Sequence, residues 1–217
     1  VGTGTDTSNS IRLPSGASGL VGVLPTRGLV SISGIHPLDW LLDNTGPIAR
    51  SVSDAAIVLT VMAGEDSKDF RTRGSSAKAQ KGPYTEYLKK DALKGKRFGV
   101  PAFILKETPG VGSAEILLRA ETRAMFMKAL EGLRSAGAAV ILDPAILPSG
   151  FEELTEAINT RPYLKEGIEH FLEDFGPARY HSTTEYAKVA GSPIPLFFIN
   201  LPLRNLETDP AADAELI

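Results

Sequence analysis

The sequence predicts an α/β fold, a mixed β-sheet flanked by helices, and two stretches carry most of that prediction. The first is Arg97-Phe98-Gly99-Val100, followed by an amphipathic run over Ser113–Ala136 and a second apolar segment, Ala138-Ala139-Val140-Ile141-Leu142. A strand, a long helix and a strand in that order imply a parallel pair joined by a right-handed crossover. The second is a helix opening at Ser51. Ser51 and Asp54 form a capping-box-like S-x-x-D, apolar residues at 55, 56, 58, 59, 61 and 62 recur at helical spacing, and Gly64 stops the helix.

The remaining elements are read in chain order. Leu20–Leu24 and Gly28–Ile32 read as short strands separated by a Pro25-Thr26-Arg27 turn. Residues 65–90 are polar and broken by Gly74, Gly82 and Pro83, which suggests a surface excursion with a short helix near Tyr84–Lys89. In the long helix, Ile116, Leu117, Ala120, Ala124, Met127, Leu130 and Leu133 form one stripe, read as core. Further helices are expected at Phe151–Asn159, Tyr163–Phe175 and Thr183–Lys188, then a Pro-rich tail from Gly191. No internal repeat or low-complexity tract is present.

Composition narrows the function classes. The 217 residues are 42% hydrophobic and 23% charged, which suits a packed globular chain. The net charge of -3 offers no basic stripe for phosphate, so no nucleic-acid partner is expected. Lys89, Lys90, Lys94, Lys96 and Arg97 read as a solvated approach to a strand. There is no cysteine, which excludes disulfides, thiolate metal sites and Cys nucleophiles and suits a cytoplasmic location. No run approaches the ~18 apolar residues of a membrane span. No metal or cofactor is called for: His170 and His181 lie on different elements, and Gly2-x-Gly4 lacks the helix a nucleotide fingerprint needs.

Thr5-Asp6-Thr7-Ser8-Asn9-Ser10-Ile11-Arg12-Leu13-Pro14 follows a probable strand. A turn of such small polar residues can aim several backbone N–H groups one way and so form an anion-binding nest, beside which a serine would have oxyanion donors at hand. Asp6 and Arg12 could pair and brace the loop. Taken alone, the same stretch also reads as an ordinary Ser/Thr/Asn turn. His36 and Trp40 could line a pocket, or be a hydrogen-bonded structural histidine and a core aromatic.

With Gly4 leading it, this stretch resembles the G-T-D-x-G-G-S-I-R-x-P segment of the amidase-signature family. Gly19–Ser31 is similar to that family's G-x-V-G-x-K-P-T-x-G-x-V-S. Leu42–Ala56 resembles D-x-x-G-P-x-A-R-x-V-x-D-A-A, and Lys94–Pro101 resembles K-G-x-R-I-G-V-P. The blocks occur in family order across residues 1–101, and the strand–helix–strand unit to Leu142 fits as well. The resemblance implies that the chain is part of a single amidase-signature domain, with 1–145 a core portion and 146–217 a variable helical insert and tail.

The resemblance also implies an activity: hydrolysis of a small-molecule amide to acid and amine through a serine acyl-enzyme. Its triad is Ser–cis-Ser–Lys. Ser10 falls on the nucleophile, and the N–H groups of Thr7, Ser8, Asn9 and Ser10 on the oxyanion donors. Ser8 and Asn9 stand where the common pattern has two glycines, whose freedom at positive φ Asn shares best. The lysine and cis-serine are expected N-terminal to Val1, so residues 1–217 alone are expected to lack the base. An incomplete sheet also leads us to expect aggregation or pairing with a second copy. Two alternatives stay open: a non-catalytic binding module, and an amidotransferase relative that acts on glutamine beside a tRNA-handling partner.

Overall fold

The structure, a computed structural model, describes residues 1–79, 81–101, 118–143, 146, 147, 150, 151, 154, 158, 160, 163–192 and 194. The chain forms two compact units, one from Val1–Glu86 with Ile158–Ile217 and one from Tyr87–Ala157. Both strand orientations expected of an α/β chain are present, and among the described residues they lie in two sheets.

The first unit is built on an antiparallel sheet of β1 (Gly2–Asp6), β2 (Val21–Gly22) and β3 (Asn44–Ala49), in the order β1-β3-β2. The register sets Gly4 opposite Gly46 and Asp6 opposite Asn44. The central strand, β3, has no strand-like sequence: it contains Gly46 and Pro47 and does not alternate. Pro47 has no N–H to donate, but its carbonyl accepts from Val23 N at 3.0 Å. Gly46 is required by close approach, since a Cβ there would lie 2.1 Å from the Val23 carbonyl oxygen.

Helix α1 (Arg12–Ala17) follows β1 after a short turn and packs on β2. Helix α2 (Val52–Met62) packs on β3 and β2 through Ala55, Ala56 and Leu59. Its start is as read: the Ser51 hydroxyl accepts from Asp54 N at 3.1 Å. Val61, read as part of its apolar run, instead faces solvent.

The expected strand at Gly28–Ile32 does not form. Gly28 takes φ +76°, Leu29 N closes a turn onto Thr26, and only Val30 makes an isolated bridge, to Ala63. The Ile32 N–H goes to the Asp69 carboxylate at 3.0 Å instead of to a neighbouring strand. Residues 65–90 are also more than a surface excursion. They hold 3-10 turns at Phe70–Thr72 and Tyr84–Tyr87 and the short helix α3 (Ser75–Lys78), and they bury Asp69 and Thr72.

In the second unit, β4 (Arg97–Pro101) and β5 (Ala139–Asp143) pair in parallel, Arg97 opposite Ala139 and Val100 opposite Leu142. Helix α4 (Ala120–Ser135) joins them and packs on β5. Of the expected stripe, Leu130 is buried and Met127 and Leu133 half-buried, Ala120 and Ala124 are exposed, and Ile116 and Leu117 lie outside the described residues. The expected Phe151–Asn159 helix lies largely outside them too, as does the tail beyond 194. Lys89, Lys90, Lys94, Lys96 and Arg97 are all exposed.

Helices α5 (Leu164–Phe175) and α6 (Thr183–Ala190) complete the first unit where the sequence places them. Leu164, Ile168 and Leu172 bury one face of α5, while Ser182 caps α6 by accepting from Glu185 N at 3.1 Å. Ile32, Trp40 and Tyr163 form a buried cluster with Ile35, Leu41 and Phe70 around it. Among the described residues no helix is long and apolar enough to cross a membrane.

The packing of β3 yields a stability contrast. Gly46→Ala forces the backbone off Val23 and should lower the unfolding free energy by about 1–3 kcal/mol, the usual cost of overpacking. Gly16→Ala, on α1 with nothing within 4 Å of the new methyl, should leave stability unchanged or raise it by up to about 1 kcal/mol. Urea unfolding of the two variants checks this.

Candidate active site

Strand β1 ends at Asp6, and the chain turns through Thr7, Ser8, Asn9 and Ser10 before Ile11 starts α1. Asp6 is buried beneath this turn. Its Oδ2 accepts from Ile11 N at 3.0 Å, Arg12 N at 3.4 Å and Arg12 Nε at 3.2 Å, and its Oδ1 accepts from Arg12 Nη2 at 3.3 Å. Arg12 Nη2 also donates to the Ser8 carbonyl. One carboxylate thus caps the first turn of α1, and one guanidinium ties that cap back to the middle of the loop. Burial pushes the Asp6 carboxyl up, but the Ile11 N–H and then the Arg12 donors outweigh it and hold the group below its ordinary value.

Ser8, Asn9 and Ser10 are exposed and Thr7 is half-buried. Ser8 and Asn9 do not use the positive φ that a glycine pair would allow: among the described residues only glycines have positive φ. Ser15, a few residues on, is buried within α1.

A second anchor lies far away in sequence. Thr7 Oγ1 donates to Asp43 Oδ1 at 2.5 Å, while Asp43 Oδ2 accepts from Leu38 N at 2.9 Å and Asp39 N at 3.2 Å. Asp43 is buried, and burial is the largest influence on its carboxyl, raising it above the ordinary value. The Thr7, Asp39 and Leu38 donors pull the other way, and the neighbouring Asp39 carboxylate adds to the rise. Sequence reasoning missed this residue as part of the site. The available signal was that Asp43 sits in the Leu42–Ala56 block.

A third aspartate fixes the wall behind Asp43. Asp69 and Arg71 form a buried two-pronged pair, Nε to Oδ1 at 2.9 Å and Nη2 to Oδ2 at 2.8 Å. Arg71 Nη1 donates to the carbonyls of Trp40 at 2.6 Å and Asp43 at 2.9 Å. Burial pushes the Asp69 carboxyl up, but Arg71, by hydrogen bond and charge, brings it below its ordinary value.

Trp40 belongs to the buried cluster and also lines a cavity of about 320 Å³ with Ile32, Lys68, His170, Phe171 and Phe175. His36 lines a smaller cavity of about 180 Å³ and meets the Phe171 ring edge-on at 5.1 Å. A third, of about 440 Å³, lies against Arg27, Gly28 and Arg73. Ser10 lines none of these three. Among the described residues no group of three His, Asp or Glu side chains could hold a metal.

The clasped strand–turn–helix is set in a chain that belongs to the Amidase family, whose sequence profile matches residues 1–174. Over 139 residues it is 40% identical to a glutamyl-tRNA(Gln) amidotransferase subunit from Acinetobacter baylyi, covering 64% of this chain and 26% of that protein. It resembles the crystal structure of native peptide amidase from Stenotrophomonas maltophilia with a TM-score of 0.63 and 31% identity, over 90% of this chain and 38% of that one. An amidase family protein from Bacillus anthracis matches with a TM-score of 0.64 and 29% identity, over 87% and 34%. The chain spans about a quarter of the length of the curated relatives it matches.

The Asp69–Arg71 pair generates a pH prediction. A carboxyl whose folded value is depressed contributes stability above its unfolded value, about 3.9, and loses it as pH falls through the folded value. Asp69→Asn leaves Arg71 buried without its counter-charge and should cost about 3 kcal/mol at neutral pH. The gap to wild type should narrow as pH drops below about 4, which chemical unfolding at a series of pH values measures.

Proposed function

We propose that the protein is an amide hydrolase in which Ser10 is the acyl-enzyme nucleophile. The observation that carries this reading is the Asp6 clasp. It commits the N–H groups of Ile11 and Arg12 to a carboxylate, so in this reading the oxyanion donors are those of Thr7, Ser8, Asn9 and Ser10, with the exposed Ser10 at the end of the same turn. Membership of the Amidase family and likeness to a peptide amidase support the same reaction class.

In this reading Ser10 Oγ attacks the amide carbonyl carbon and passes its proton to a base. A serine hydroxyl is too weak an acid to react unaided. The base this reading requires is a lysine acting through a second, cis-linked serine. The carbonyl oxygen becomes an oxyanion held by the turn's N–H groups. The C–N bond then breaks, the amine leaves carrying the proton, and water hydrolyses the ester to release the acid and restore Ser10. Asp6 and Arg12 touch no reacting atom in this scheme: they hold the turn open.

A second reading is favoured by the 40% identity to the glutamyl-tRNA(Gln) amidotransferase: Ser10 would act on glutamine, with the ammonia passed to an acceptor bound by other proteins of a complex. The two readings share the nucleophile and divide on substrate. Hydrolysis of a simple peptide or carboxylic amide by the enzyme alone favours the first, and glutamine turnover that needs partner proteins favours the second.

In the enzyme expressed from its complete coding sequence, Ser10→Ala should lower kcat by about 10⁶ with the fold intact, whereas loss of one oxyanion donor costs roughly 10²–10³. Ser8→Ala removes only a hydroxyl and should lose far less than Ser10→Ala. A fluorophosphonate should label Ser10, read by mass spectrometry of the modified peptide. An adduct on another serine, or full activity in Ser10→Ala, overturns the assignment.

A further inference from the structure

We propose that the hydrogen bond from the Thr7 hydroxyl to the buried Asp43 carboxylate is the positioning device of the oxyanion turn, and that it couples the turn to the wall formed by residues 37–43. The inference rests on the Ser10 reading and goes beyond it, because it gives a task to a side chain 36 positions away that touches no reacting atom.

The Asp6 clasp acts only within residues 6–12. Every bond of that clasp is local, reaching from Asp6 to Ile11 and Arg12 and from Arg12 to Ser8. Such bonds fix the shape of the turn but not its orientation against the rest of the unit. Thr7 is the first residue past β1, where the backbone leaves the sheet ladder, so a rotation there swings all the following N–H groups together. Its hydroxyl is the turn's side-chain link to a distant segment.

Asp43 is suited to be the fixed end of that link. Its carboxylate accepts from three donors, the Thr7 hydroxyl and the N–H groups of Leu38 and Asp39. Its own carbonyl is gripped by Arg71, which the buried Asp69 holds in turn. It also lies one residue before β3, the strand that pairs with β1. The turn is therefore joined to the sheet twice, through Asp6 at the end of the β1–β3 ladder and through the Thr7–Asp43 bond. The segment that Asp43 pins includes Pro37 and Trp40, which line the 320 Å³ cavity, so the turn and that cavity wall share one carboxylate.

Thr7→Val and Thr7→Ala remove the hydroxyl and leave every backbone donor in place. Each should lower kcat roughly 10- to 100-fold, the penalty for misplacing a reacting group by about an ångström, with KM changed less than about threefold. Thr7→Ser restores the hydroxyl and should recover most of the loss. Thermal unfolding of each variant and of Ser10→Ala is measured alongside. A kcat unchanged in Thr7→Val and Thr7→Ala overturns the positioning role while Ser10 stands. Equal losses in Thr7→Ser and Thr7→Val, or losses that merely follow the fall in unfolding temperature, overturn it as well. An active Ser10→Ala overturns the reading beneath it.

Discussion

Backbone N–H groups outside regular structure need acceptors where water is excluded, and three buried aspartates supply them in the first unit. Asp6 takes the N–H groups of Ile11 and Arg12, Asp43 those of Leu38 and Asp39, and Asp69 that of Ile32. Each serves a stretch where the chain leaves regular structure. Leaving such a group unpaired costs about 1–3 kcal/mol, so each aspartate stabilises an irregular path that the sheet alone would not impose.

The three carboxylates are not equivalent, and the difference follows from their partners. Asp6 and Asp69 each face a guanidinium, and their carboxyls fall below the ordinary value despite burial. The Asp43 carboxylate meets a hydroxyl and two N–H groups, with the Asp39 carboxylate nearby, and burial prevails. Arg71 reaches the Asp43 carbonyl and not its carboxylate. The residue that links the turn to its wall therefore sits at the least comfortable charge of the three, and its folded-state preference runs opposite in sign: stability at Asp43 falls as pH rises through its raised value.

Much of the fold could be read from local chemistry. Ser51 with Asp54 marks a helix start because a hydroxyl at the cap satisfies a free N–H. The parallel pair β4 and β5 was legible because a strand, a long helix and a strand have few other ways to pack. Strand β3 was not, since Asn44-Thr45-Gly46-Pro47 does not alternate and carries a glycine and a proline, which strands disfavour, and its place comes from β1 and β2 on either side. The expected strand at 28–32 failed because Leu29 closes a turn onto Thr26 and the distant Asp69 carboxylate takes the Ile32 N–H, a contact that no window around residue 30 contains. At the site, Asp6 and Arg12 could be paired by eye across six positions, whereas the contact of Thr7 with Asp43 exists only after the sheet has formed.

The geometry of the turn under load is the most direct test of this account. A crystal structure of the enzyme carrying a fluorophosphonate adduct shows which serine reacted and where the phosphoryl oxygen points. A phosphonate ester is expected on Ser10 Oγ, with that oxygen within about 3.1 Å of backbone N–H groups from the Thr7–Ser10 turn. An ester on a different residue, or a phosphoryl oxygen turned away from those N–H groups into solvent, would contradict it.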